Sequence, residues 1–342
     1  LCMIVMLGIL IVFAAFQIES MDYGLIFSGL LAIYLLLGAY AAIGLFMSCL
    51  STYQVVAALA TFALFALLKF VGTLWQEYDL LRDLTGYLSI SGRTENMIMG
   101  LVTSRDVLYY LLITAMFLAF AYFKLKSVRA SENGFISFLK YTGAVAVVLA
   151  IGYFTSIPQF IGYWDVTRTN SNTISPGSQE VLKQMGDAPV EGTTYINLLD
   201  NTYYRGAPEA RNSDKRRWER YIRFKPQFHL NYVYYYDSSF DESFSKNNAG
   251  LTLEEISKKR AKSYNTNKDR FKTPEEIRKE INLFPEKNRL VMLVKYKGRE
   301  TFLRTFNDMI FWPLETETIA ALSRLSGPLP RIAFLQGEEE RS

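Results

Sequence analysis

The sequence predicts an α-helical membrane bundle of five transmembrane helices followed by an α/β layered extracytoplasmic domain. Three observations predict it. Long apolar runs crowd into residues 1–163 while most of the charge lies in 164–342, a split hidden by a mean hydropathy of only +0.09. Five of those runs approach or exceed the roughly 18 apolar residues needed to cross the hydrocarbon. Beyond residue 163, helix caps and strand-like runs alternate.

The first span, Leu1–Ile18, has neither a basic leader nor a small-residue cleavage site, so it reads as a span and not as a signal peptide. It opens on Leu1 inside an apolar run, and FLQGEEERS stops straight after a strand-like run, so the chain reads as a fragment lacking both true ends. The other spans are Tyr23–Leu50, Gln54–Trp75, Val107–Phe123 and Tyr141–Ile161. The fourth is short, but Tyr109, Tyr110, Tyr122 and Phe123 supply interfacial anchors.

Direction follows from basic residues in short loops. FKLKSVRASENGFISFLK carries Lys124, Lys126, Arg129 and Lys140 against Glu132, a cytoplasmic pattern. The link with Glu19 and Asp22 has no base, and the 76–106 loop sets Arg82, Arg93 and Arg105 against Glu77, Asp79, Asp83, Glu95 and Asp106; both read as outside. Alternation then places everything after Ile161 beyond the cytoplasm. The stretch LLRDLTGYLSISGRTENMIMGLVTSRD is too apolar for an ordinary loop and reads as short helices at the interface. Lys69 interrupts the third span; it either lines a polar path or snorkels towards the interface, and the nearness of Trp75 favours the second reading.

In the polar half, Ser175-Pro176 starts a helix, and Thr252/Glu255 and Thr273/Glu276 form capping boxes. Strands are expected at Thr193–Leu199, Gln227–Tyr236, Leu290–Tyr296, Thr301–Phe306 and Arg331–Leu335, in a largely parallel sheet. The polar stretch 237–272 reads as a mobile insertion. Lys215, Arg216, Arg217, Arg220 and Arg223 interleave with Trp218, Tyr221 and Ile222 at helical spacing. The bases form either a solvated face, the commoner case, or a face for anionic lipid headgroups or glycans. Nucleic acid lies on the wrong side of the membrane. In HLNYVYYYD, alternation sends Phe228, Leu230, Tyr232, Tyr234 and Tyr236 to one face and His229, Asn231, Val233 and Tyr235 to the other, a pattern for core packing before carbohydrate stacking.

No phosphate-binding loop, nucleophile elbow or HExxH motif occurs, so no catalytic, cofactor or metal residues are assigned. With 2 Cys, both near apolar runs, and 1 His, His229, neither a disulfide framework nor a multi-histidine site is open to the polar half.

Residues 24–128 resemble ABC-2 type transporter permeases of the gliding-motility GldF kind, through GAYAAIGLFMSCLSTYQVVAALATF (Gly38–Phe62), GYLSISGRTENMIMGLVTSRDVLYY (Gly86–Tyr110) and the closing FKLKSVR. Residues 141–342 resemble the partner subunit GldG, whose outer domain is of the auxiliary ABC-transport family. The residues that carry this are Asp165-Val-Thr, Ile174-Ser-Pro176 with Val181-Leu182, WERYIRFKPQFHLNYVYYYD and PRIAFLQGEEE. Gly337-Glu338-Glu339-Glu340 departs from the Gly-His-Gly-Glu that similar proteins often show.

The resemblance implies permease helices over 1–128, a cytoplasmic loop and anchoring helix over 129–163, and a GldG-like domain over 164–342. It implies a non-enzymatic permease subunit in a bacterial inner membrane, its C-terminal domain in the periplasm. The partners are an ATP-binding subunit, a second permease half and membrane lipids, with ATP bound by the partner subunit. The main ATPase contact of such permeases would precede Leu1. The alternative is a membrane-anchored scaffold or sensor that binds envelope glycans or proteins.

Overall fold

A computed structural model describes residues 8, 9, 12, 21–90, 93–129, 133–240, 244, 248–306 and 309–327. The chain divides into two compact units, Leu1–Ile174 and Ser175–Ser342. Of the first expected span only Gly8, Ile9 and Val12 are described, all helical; the expected strand Arg331–Leu335 and the motif at 337–340 lie outside the described residues.

Among its described residues the first unit contains four helices long and apolar enough to cross a membrane. They are α1 (Tyr23–Leu50), α2 (Gln54–Phe70, continued by a 3-10 turn to Thr73), α5 (Ser104–Arg129) and α6 (Gly134–Thr155). Between α2 and α5 lie α3 (Asp79–Leu88), α4 (Arg93–Ile98) and the short strand β1 (Leu101–Thr103). The apolar stretch before α5 therefore does fold into short helices. After α6, β2 (Tyr163–Asp165) pairs antiparallel with β1.

Small residues set the spacing of the bundle. Ser28, Ala32, Leu35, Ala39 and Ala42 are buried along one stripe of α1, which lets α5 approach closely and present Tyr109, Tyr110, Ile113, Phe117 and Phe120 to it. Elsewhere the helices are apolar all round and their outer faces are exposed: only Ala57 and Leu68 of α2, and Val148 and Gly152 of α6, are buried. A helix apolar on every side suits a lipid environment.

Hydropathy misplaces two helix ends. The loop expected from Phe123 to Lys140 is helical up to Arg129 and again from Gly134. Lys, Arg and Leu are good helix formers, so the drop in hydropathy does not end the helix. The restart is set by Asn133, whose side chain accepts a hydrogen bond from the Phe135 N–H at 3.1 Å. Likewise β2 and the turn after it belong to the first unit, beyond the residue-163 boundary that hydropathy suggests.

That turn is held by carboxylates. Asp165 Oδ1 accepts from the Thr167 N–H (3.2 Å) and hydroxyl (2.6 Å), and Oδ2 from the Asn172 N–H (2.8 Å) and the Thr173 hydroxyl (2.9 Å). Asp22 caps α1 through the Leu25 N–H (3.0 Å) and accepts from the Arg168 N–H (2.8 Å). Gly24 is required beside them, because an added Cβ would collide with the Val166 carbonyl.

Burial pushes the Asp165 carboxyl up, but its hydrogen bonds win and hold it below the usual range; the Arg168 and Leu25 amides lower Asp22. A depressed folded pKa gives stability that is present above the unfolded value, about 4, and lost as pH falls through the folded one. Protection of the Arg168 and Asn172 amides in hydrogen exchange, corrected for intrinsic rates, is therefore expected to fall on acidification below about pH 4. In Asp165→Asn the Asn172 amide should be weakly protected already at neutral pH. Unchanged protection in both experiments would refute the carboxylate lock.

Among its described residues the second unit is built on a four-stranded sheet in the order β4–β3–β5–β6, with β3 Val190–Asn197, β4 Phe228–Tyr235, β5 Val291–Tyr296 and β6 Arg299–Arg304. The expected largely parallel sheet is corrected: β3 and β4 run parallel, but β3–β5 and β5–β6 are antiparallel. The cause is local. Lys297 and Gly298 both adopt positive φ, 48° and 77°, so β5 and β6 form a tight two-residue hairpin.

The helices of this unit are α7 (Pro176–Gln184), α8 (Tyr203–Gly206), α9 (Arg211–Ile222), α10 (Leu253–Ser263), α11 (Pro274–Glu280) and α12 (Glu315–Ser326). The caps sit where the sequence places them: Ser175 starts α7, and complete capping boxes start α10 and α11. The stretch 237–272 is no mere insertion, because Ile256, Ala261 and Phe271 enter the core beside Tyr234 and Tyr236. Tyr235, on the opposite face of β4, packs with Tyr195, Ile277 and Leu293. Both faces of the sheet are thus covered.

Candidate functional site

Two polar constructions stand out, one in each unit. In the first, Arg93 at the start of α4 lies buried beside Asp106 in the first turn of α5, Nη1 to Oδ1 at 2.8 Å. The Arg93 Nη2 donates to the Tyr87 carbonyl (2.9 Å), and the guanidinium lies over the Tyr109 ring at 4.1 Å. Arg105 Nε approaches the same Asp106 oxygen at 3.6 Å. Around them the Tyr109 hydroxyl donates to the Leu88 carbonyl (2.6 Å), and Thr94 and Tyr110 share a short hydroxyl contact. Asp106 Oδ2 is buried and has no hydrogen-bond partner among the described residues. Arg93 and Asp106 are visible in the sequence only as two of many loop charges; their pairing across α4 and α5 needs the fold.

Lys69 sits exposed in the last turn of α2, its Nζ 5.8 Å from the Phe70 ring centroid. A cation at this end of a helix is favoured by the carbonyl dipoles.

In the second unit, α9 divides the arginines predicted as one face. Arg216 is exposed and donates to Ser213 (3.1 Å). Arg223 falls at the C-cap, half-buried. Arg217 and Arg220 instead line a cavity of about 260 Å³. Its floor is the sheet face bearing Thr194, Met292 and Leu303, and its far wall is Trp312 with Leu314, Glu315 and Thr318 around the start of α12. The apolar trio is split too: Trp218 stacks on Phe228 (5.1 Å between ring centroids, 29° between planes), and Tyr221 is buried beside it.

Arg217 is fixed on two sides. It pairs with Asp214 (2.6 Å) and lies on the Trp312 ring, 3.5 Å from its centroid. Asp214 also accepts from the Tyr232 hydroxyl at 2.8 Å. Burial pushes the Asp214 carboxyl up and the Arg217 guanidinium down, so desolvation outweighs their mutual attraction. Tyr232 is raised by burial and by that neighbouring charge. Glu315 Oε1 accepts from the Ser175 N–H (2.8 Å) and the Ser178 hydroxyl (2.5 Å); burial alone would raise this carboxyl, but these donors hold it below the usual range.

No protein family, curated protein or solved structure matches this chain.

The tyrosines of β4 are structural: the Tyr234 hydroxyl donates to the Gly206 carbonyl (3.0 Å) and accepts from Arg211 Nε (2.8 Å). His229 is exposed at the strand's outer side. No group of three or more His, Cys, Asp or Glu side chains suited to a metal ion occurs among the described residues.

Proposed function

We propose that this chain is a permease subunit of an ABC-2 type exporter, similar to the gliding-motility kind, with a fused periplasmic auxiliary domain. The observation that carries this reading is the first unit's architecture. Long apolar helices run back and forth, and at one end the short helices α3 and α4 fold in and are locked to the start of α5 by the buried Arg93–Asp106 pair. The motif order behind the resemblance supports the same reading.

On this reading Leu1–Ile18 is a further span, making five, and the second unit is a layered α/β domain on the side of the bacterial inner membrane away from ATP. The basic residues Lys124, Lys126, Arg129 and Lys140 would then face the cytoplasm. The sequence has no phosphate-binding loop, so nucleotide is bound and hydrolysed by a separate subunit, and a second permease half completes the path. Closure of the ATP-binding subunits shifts the population between two packings of the helices. The Arg93–Asp106 lock keeps the outer segment attached to α5 as it moves.

The test is affinity purification of the full chain from its native membrane. Co-purification of a subunit carrying a phosphate-binding loop is expected, and recovery without any nucleotide-binding partner would overturn the reading. The cavity beside α9 favours a second reading, a membrane-anchored scaffold or sensor whose outer domain binds an envelope component. Membrane nucleotide hydrolysis unchanged by deletion of this chain would favour it.

A further inference from the structure

We propose that the cavity beside α9 is a binding site for a small organic acid, a molecule with an apolar or aromatic body and one anionic head. The proposal does not depend on a transport role. At about 260 Å³ the space exceeds the ~150 Å³ that suffices for a benzene ring in a dry protein interior. Sites for small molecules are typically apolar hollows with a few placed polar groups, and this one has that composition. Met292, Leu303 and Leu314 supply aliphatic surface, and Trp312 supplies a ring wall.

The polar groups of the lining are not equivalent. Arg217 is spent: Asp214 neutralises it, and its flat face lies on Trp312, which stiffens that wall. Glu315 is spent as well, its Oε1 held by Ser175 and Ser178 at the start of α7. Arg220 lies near enough to Glu315 to help hold that carboxyl low, but no hydrogen bond and no ion pair within 4 Å engages its guanidinium among the described residues. One helical turn from Arg217, it brings to the lining a guanidinium whose donors are uncommitted. Such a fork pairs best with a carboxylate or phosphate, in two parallel hydrogen bonds. An apolar hollow with one uncommitted guanidinium selects an amphiphilic anion over a neutral hydrophobe or a bare ion.

The test uses the full chain in lipid nanodiscs, with empty nanodiscs subtracted. Binding of 3-phenylpropanoate, 3-phenylpropanol and inorganic phosphate is followed by titration calorimetry and by tryptophan fluorescence, since Trp218 and Trp312 line the cavity. Saturable binding of 3-phenylpropanoate is expected, with the alcohol and phosphate each weaker. Arg220→Gln should weaken the acid roughly tenfold or more, the loss expected for a hydrogen bond to a charged group, and leave the alcohol unchanged. Leu303→Trp, which fills the hollow, should abolish binding of both aromatic probes. Thermal unfolding of each variant identifies any that fail to fold, and Arg220→Lys, which keeps the charge but not the fork, should retain intermediate affinity. The proposal fails if the wild-type chain does not bind the acid, if the alcohol or phosphate binds as tightly as the acid, or if folded Arg220→Gln binds the acid like wild type.

Discussion

Asp106→Ala is expected to destabilise the first unit by about 3–5 kcal/mol, the cost of leaving a buried charge without its partner. Arg93 would keep the Tyr87 carbonyl and the Tyr109 ring but lose its counter-ion. Breaking the pair should also release α4 from α5, so the loss would show as proteolytic sensitivity between Gly86 and Gly100 as well as in thermal unfolding of the purified chain. Replacing both partners, Arg93→Met with Asp106→Leu, should recover most of the stability, because apolar groups of similar size need no compensation. A cost below about 1 kcal/mol for Asp106→Ala would mean that the pair is solvated and weak. It would also remove the lock on which the permease reading leans.

The second large effect is expected at Asn197, in the last position of β3. Its amide is fully used: Nδ2 donates to the carbonyls of Asp237 and Asn288, both at 3.0 Å, and Oδ1 accepts from the N–H groups of Leu199 (3.0 Å) and Asp237 (3.1 Å). The side chain is 1% exposed, so no bulk water substitutes for a lost partner. Asn197→Asp keeps the shape but turns two donors into an oxygen facing two carbonyl oxygens. Each unsatisfied buried group costs about 1–3 kcal/mol, so a loss of about 3 kcal/mol or more is expected at neutral pH. The deficit should narrow as the pH falls, because a protonated carboxyl regains one donor. Thermal unfolding and exchange of the β3 and β5 amides measure it; a loss under about 1 kcal/mol would refute the hub role.

Asn197 also shows where sequence reading stops. In TTYINLL it looks like a polar residue ending a strand, and the strand itself is legible from its β-branched and aromatic run. Three of its four hydrogen bonds go to segments around residues 237 and 288, which no local pattern connects to it. The arginines of α9 behave likewise. Helical spacing puts them on α9, but the different environments of Arg216, Arg217 and Arg220 arise from Trp312 and α12, far along the chain. A signal was present for β5–β6, where Lys297-Gly298 between two apolar runs marks a hairpin turn.

What the sequence determined by itself is local in kind. It set the long apolar helices, the caps at Ser175, Thr252 and Thr273, and the alternation of β4, because hydrophobic period and capping hydrogen bonds act within a few residues. The tertiary structure alone decided which charges meet, as in Arg93 with Asp106, and that β3 pairs antiparallel with β5. It alone also enclosed a hollow around Arg220. The physical reason is that ion pairing, strand order and cavities depend on distances between segments far apart in the chain, and folding sets those distances by burying apolar surface, whichever charges that brings together.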